Sequence, residues 1–203
     1  MSSDVTAEST RRRLTPRQIE MVHRLTEAAL EEVRESGYAN LTLRNVAGRA
    51  GVAPATAYTY FSSKNHLLTE IFWRKLHALP LVAEDDRPPA ARVANVLRDI
   101  VSLIVSEPEV AAGCTAALLG TDADVAHLRR RVGAEIRARL AAGLGPAAAP
   151  EVLSALEFAY AGALMHAGMG ATSYENIAEG LVSTAELIMR GGDLCLAVQE
   201  EKK

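Results

Sequence analysis

With 203 residues, 49% apolar and only 4% aromatic, the chain can bury a sizeable core and fill one compact domain with a small appended one, or two modest domains. Its net charge of −3 divides unevenly, +3 over residues 1–79 and −6 over the rest, the polarity expected if one end approaches an anion. No apolar run reaches the roughly 18 uncharged residues of a membrane span, no signal-peptide core precedes the first charges, and Cys114 and Cys195 lie too far apart for a CxxC pair, so we expect a cytoplasmic protein with buried thiols and neither disulfides nor zinc.

Residues 1–14 are polar and end in Arg11-Arg12-Arg13, a flexible basic arm that either solubilises the chain or settles near phosphates or in a minor groove. Thr15-Pro16-Arg17-Gln18 is a capping box with proline at the first helical position. Ile19, Val22, Leu25, Ala29 and Val33 then recur at helical spacing until Gly37 ends the helix.

Thr42 is placed to cap a short helix with Leu43, Val46, Ala47 and Ala50 on one face, and Gly51 supplies a left-handed turn. A second short helix starts at Pro54, with Val52, Ala57, Tyr58 and Phe61 facing inward and Ala55, Thr56, Thr59 and Tyr60 outward. This is the pattern of a helix-turn-helix, whose small outward side chains would let the second helix sit deep in a major groove. The same geometry also serves as a plain corner in an all-α core.

Ser62 is the expected cap of a fourth helix carrying Leu67, Leu68, Ile71, Phe72, Leu76 and Leu79. Lys64 falls in its first turn, where the macrodipole disfavours a cation unless an anion binds there too. Pro80 to Pro89, containing Glu84-Asp85-Asp86, reads as a linker. A fifth helix follows from about Ala90 to Ser106, a shorter sixth to about Leu119, and a seventh from about Ala123 to Ala142. Arg129-Arg130-Arg131 fans around that seventh helix and reads as solvated surface.

The eighth helix, about Pro150 to Gly170, repeats Ala155, Ala159, Ala163 and Ala167, and the ninth, about Tyr174 to Arg190, offers Ile177, Leu181, Ala185 and Ile188. Such a pair suits either homodimerisation through a four-helix bundle or an ordinary core face. The fold class expected is all-α with about nine helices. Alanine-rich walls in helices five to eight suggest a roomy cavity lined by Val101, Ile104, Cys114, Leu118, Phe158, Gly162, Met165 and His166. His166, Tyr160, Glu157 and Cys114 would orient the guest. Few aromatics and no cage for a cation favour a small apolar effector such as an acyl chain, terpenoid or steroid.

Gly37-Tyr38, Thr42, Val46-Ala47, Ala50-Gly51-Val52, Thr56, Tyr58, Tyr60-Phe61, Lys64 and Leu67-Leu68 together resemble the signature of the TetR family of transcriptional regulators, densely over about residues 15–75. Ala53 stands where that family often has a serine or threonine cap, and Thr59 where it often has a basic or large aromatic residue. The resemblance implies a helix-turn-helix domain at 15–61, a connecting helix at 62–79 and a ligand-binding and dimerisation domain at 80–203. It also implies that Thr42, Thr56, Tyr60 and Lys64 anchor phosphates of double-stranded DNA while Pro54, Ala55, Tyr58 and Thr59 meet base edges, with Arg44 in the same DNA-binding set.

The expected function is therefore a DNA-binding regulator, a repressor acting as a homodimer on a palindromic operator and released by its effector. A ligand-independent architectural DNA-binding protein is the alternative, and it would show little sequence discrimination. An enzyme is not expected: HExxH, Walker and GxGxxG motifs are lacking, the five histidines are scattered, and no catalytic residue, metal or cofactor is indicated.

Overall fold

Proline at the start of α1 (Pro16–Asn40) lacks only an N–H that no intrahelical acceptor would use, and Gln18 Oε1 reaches back to accept the Thr15 N–H at 2.9 Å. Gly37, at φ 74° and ψ 163°, breaks this helix before its last residues, as its lack of a Cβ permits. The computed structural model describes residues 8–9, 12–80, 86–146 and 149–200, with side chains for 14–80, 86–146 and 149–192. Eight further helices follow among these residues: α2 (Leu43–Arg49), α3 (Pro54–Tyr60), α4 (Lys64–Ala78), α5 (Pro89–Ser106), α6 (Pro108–Leu119), α7 (Ala123–Leu144), α8 (Pro150–Gly168) and α9 (Tyr174–Glu200). The fold is all-α.

The one departure lies in the arm, expected to lack regular structure. There β1 (Glu8–Ser9) and β2 (Arg12–Arg13) form a two-residue antiparallel ladder that pairs backbone groups locally without building a face. Arg11, Glu84, Asp85 and the side chain of Cys195 lie outside the described residues.

The helices gather into two compact units that are not successive in the chain. The first comprises the residues through Ala78 together with Glu107–Val132, so it holds α1 to α4, α6 and the start of α7; the second comprises Leu79–Ser106 and the chain from Gly133 onward. The division expected near residue 80 therefore passes over the return of α6 to the first unit.

Gly113 is the reason α6 fits there. A Cβ at this position would lie 2.6 Å from Leu68 Cδ1 on α4 and 2.6 Å from Tyr38 Cδ2 on α1, closer than any real carbon contact. Neither neighbour has room to yield, because Leu68 is wholly buried and the Tyr38 hydroxyl donates to Asn65 Oδ1 at 2.8 Å. One residue on, the buried Cys114 thiol lies 3.1 Å from the Leu68 carbonyl, and burial pushes the thiol's pKa far up, which makes it an inert packing group.

Charge seals the edges of this unit. Glu107 at the start of α6 accepts Arg34 Nε from α1 at 3.0 Å and Lys75 Nζ from α4 at 3.3 Å. The Arg34 hydrogen bond first, and Lys75 with it, holds the Glu107 carboxyl below the usual range. The arginine run on α7 departs from the expected solvated surface. Arg129 Nε donates to the Leu118 carbonyl at 2.6 Å, closing the end of α6, and the Arg131 guanidinium lies 3.7 Å over the Trp73 ring; Arg130 alone of the three is exposed. The C-terminus of one helix and the face of a lone tryptophan thus absorb two charges that spacing alone assigned to water.

In the second unit α5 buries Val93, Val96, Leu97, Ile100, Val101 and Ile104 and packs on α9, which also carries α8. Arg139, only 6% exposed, donates to the Pro80 carbonyl at 2.8 Å and the Leu79 carbonyl at 3.0 Å, fastening the chain where it leaves α4. Gly143 gives α7 its approach to Val93 on α5.

Two stability measurements follow from the first unit. Gly113→Ala gains about 0.5–1 kcal/mol of helix propensity but overpacks a site that cannot relax, which costs about 1–3 kcal/mol, so urea unfolding should show a net loss. Glu70 is 1% exposed, and burial raises its pKa despite Arg74, with which it pairs at 2.8 Å, and the Arg131 charge. A carboxyl whose folded pKa lies above its unfolded value contributes stability present at low pH and lost as pH rises through the folded pKa. Glu70→Gln should therefore stabilise the protein at pH 8, and the gain over the parent should shrink at pH 5.

Candidate DNA-reading surface

Thr42, extended at φ −135° and ψ 150°, accepts the Asn45 N–H at 3.1 Å and so starts α2 as expected. α2 buries Leu43, Val46 and Ala47 and leaves Arg44 and Asn45 exposed. Gly51 (φ 66°) turns the chain, and the Val52 N–H returns to the Ala47 carbonyl at 2.9 Å. Ala53 provides no side-chain cap, so α3 relies on Pro54 at its first position and on the Thr56 N–H reaching the Ala53 carbonyl at 2.9 Å.

α3 is held by Ala57 and then Phe61, four residues apart and both buried. Pro54, Ala55 and Thr59 are exposed, while Thr56 and Tyr60 are half-buried. Tyr58, expected to face inward, is instead 56% exposed. Its neighbour Ala57 already fills the inward position, and the roughly 100° step between consecutive residues turns the ring outward. The Thr59 hydroxyl donates to the Ala55 carbonyl at 2.9 Å, leaving an acceptor oxygen and a methyl group for outside contacts.

Arg49 at the end of α2 is a positioning residue that motif reading passed over. Its guanidinium binds Glu32 Oε2 at 2.9 Å and Glu35 Oε1 at 3.0 Å on α1, with Glu31 at 3.6 Å. The Arg49 hydrogen bond keeps the Glu35 carboxyl below its usual range. The clamp fixes α2 to α1 and neutralises carboxylates that would repel a phosphate backbone. Its signal was legible: three glutamates within five residues on one helix, and a lone arginine at the end of the next. Arg24 adds a bond to the Ala50 carbonyl at the turn.

Ser63, not Ser62, caps α4: its Oγ accepts the His66 N–H at 3.1 Å. Ser62 instead meets buried His66, with its Oγ 3.2 Å from Nδ1. Lys64 folds back on α1, donating to the Tyr38 carbonyl at 2.9 Å and the Ala39 carbonyl at 3.2 Å, with its ammonium 4.3 Å from the Tyr38 ring centre. The unfavourable dipole at the start of α4 is thereby offset by carbonyls at the end of α1.

The eight residues expected to line an effector cavity fall in both units. Val101 and Ile104 are buried on α5 of the second unit, whereas Cys114 and Leu118 belong to α6 of the first. On α8, Phe158 (79% exposed), Gly162, Met165 and His166 face outward. Phe158, Gly162 and His166 line an open groove of about 390 Å³ with Ile177, Leu181 and Thr184 of α9. Of the expected orienting groups, Tyr160 is buried and Glu157 pairs with Arg137. Alanine periodicity marks a close-packing stripe without saying which of two adjacent faces turns inward.

Residues 25–71 match the model of the bacterial regulatory proteins of the tetR family. An uncharacterized HTH-type transcriptional regulator of Mycobacterium tuberculosis is 43% identical over 205 residues, covering 95% of this chain and 96% of the relative. The chain belongs to the TetR family of transcriptional regulators. Among solved structures, a TetR regulator from Rhodococcus sp. RHA1 superposes with a TM-score of 0.68 at 23% identity, over 82% of this chain and 96% of that one. A TetR-family repressor of Thermus thermophilus, FadR, solved with lauroyl-CoA, gives 0.61 at 18% identity over 84% and 94%. Membership makes this protein a DNA-binding regulator of transcription, with α2 and α3 as its helix-turn-helix. No single helix among the described residues is long and apolar enough to cross a membrane.

Lys64 tests the reading of this surface. Lys64→Ala should weaken specific and random duplex binding about equally and lower the salt slope by about 1. A salt slope unchanged by the substitution would assign the ammonium to the α1 carbonyls alone.

Proposed function

We propose that this TetR-family regulator is a cytoplasmic repressor that binds a two-fold-symmetric operator as a homodimer through α8 and α9. The observation that carries the reading is the apolar side of that helix pair left in water: Phe158 is 79%, Leu187 63% and Met165 45% exposed, beside the groove containing Gly162 and Gly180. Large apolar groups clustered beside small residues suit burial against a second copy, which a two-fold axis would supply with the same surface. Two reading heads would then meet successive major grooves about 34 Å apart. Thr42, Arg44, Thr56, Tyr60 and Lys64 would hold phosphates, and Pro54, Ala55, Tyr58 and Thr59 would contact base edges.

Release is assigned to a small apolar effector of the acyl-chain, terpenoid or steroid class. Support comes from the aliphatic inner face of α5 and from a repressor of the same fold holding lauroyl-CoA. The domain scheme is a reading head at 15–61, a connecting helix at 62–79 and a ligand-binding and dimerising part at 80–203. Because α4 and α6 interlock at Gly113, displacement of α6 would carry α4 and change the spacing of the heads.

Selection from random duplexes at near-physiological salt should enrich a palindrome. The Phe158→Glu/Leu187→Glu variant should sediment as a monomer with unchanged helix content and lose that palindrome. A dimeric variant, or a parent that enriches no sequence, would overturn the reading, the latter in favour of an architectural role.

A further inference from the structure

The second unit carries another concavity, on a different side of α9. A groove of about 810 Å³ runs between the start of α5 and the middle of α9, and Arg87, Arg98, Arg190 and Glu186 stand around it. At about 100° per residue, Glu186, Met189 and Arg190 occupy the side of α9 away from Gly180, Leu181 and Thr184, which line the groove beside α8. The two surfaces are thus separate, and a second copy seated on α8 and α9 leaves this one open.

Its charges are unusual for this protein. Arg34, Arg49, Arg74, Arg137 and Arg139 each pair with a carboxylate. Arg98 and Arg190 pair with none among the described residues. Arg98 donates to Asn95 Oδ1 at 2.7 Å, which aims its guanidinium without neutralising it, and Arg190 Nε donates only to the Glu186 backbone carbonyl at 3.3 Å. The start of α5 adds its dipole, but Pro88 and Pro89 there have no N–H to offer, so side chains must make the directional contacts. Ala91, Ala94 and Met189 supply an aliphatic floor, and among the described residues no aromatic ring lines the groove for a base to stack on.

We infer that this groove binds a small phosphorylated amphiphile, a phosphate monoester or diphosphate on an aliphatic body. Guanidinium forks match phosphate oxygens two at a time, and a dianionic head offers enough acceptors for both arginines. Glu186 on the rim repels an anion and is outweighed by the two guanidiniums, while the floor takes up the aliphatic body. The volume is that of a small-molecule site. The site is independent of operator recognition and of the apolar effector.

Calorimetric titration of the full-length protein at constant ionic strength, with n-butyl phosphate, inorganic phosphate and n-pentanoate, tests the assignment. Butyl phosphate should bind more tightly than either of the others. Arg98→Gln and Arg190→Gln should each weaken it about tenfold or more, with helix content and the unfolding midpoint unchanged. Ala91→Leu, which fills the floor, should weaken butyl phosphate more than inorganic phosphate. No binding of butyl phosphate at about 10 mM, a concentration at which even a millimolar ligand registers, would overturn the proposal. So would binding that the double arginine variant retains, or an equal response to pentanoate.

Discussion

A missing methyl group sets the geometry of the first unit. At Gly113 the backbone of α6 comes within side-chain contact of both α1 and α4, and residues far apart in the chain close into one core. Everything that positions the reading helices rests on that closure: α1 carries the glutamates that Arg49 grips, and α4 starts where Lys64 folds back on α1. The contact tolerates no intermediate separation, because close-packed interiors shift between discrete arrangements and do not stretch. A helix pair joined in this way moves together or comes apart.

Polar groups do the work of alignment around that core. Arg49 with three α1 glutamates, Glu107 with Arg34 and Lys75, and Arg129 over the end of α6 all lie at helix ends or edges, where two elements meet and backbone carbonyls need partners. Singly, such exposed pairs contribute little stability. Their value here is geometric, since a guanidinium fork fixes direction as well as distance.

The helices and the turn at Gly51 were legible because they depend on local chemistry: proline at first positions, Thr42 as a cap, glycine where φ is positive, apolar residues every three or four places. The same rules failed where two neighbouring residues competed for one place. Ser63 rather than Ser62 caps α4, and of Ala57 and Tyr58, both expected inward on α3, Ala57 is buried and Tyr58 turns out. Longer-range features could not be read at all. Nothing in the composition of the sixth helix announces that it returns to the first unit, since a glycine required by two distant side chains looks like any helical glycine. The inward face of α8 was open for a related reason: alanine periodicity defines a stripe, and the stripe's neighbours at Phe158 and Met165 turn outward.

The chain's only tryptophan lies where this unit closes. Trp73 on α4 stacks on His77, with ring centres 5.4 Å apart and planes inclined by 23°, while the Arg131 guanidinium from α7 covers it at 3.7 Å. Its indole is 3% exposed and sits between two groups able to perturb an excited state. The protein therefore carries a native optical reporter at the seam of α4 and α7. Emission from that one ring, free of other indoles, records how the seam sits without any label being attached.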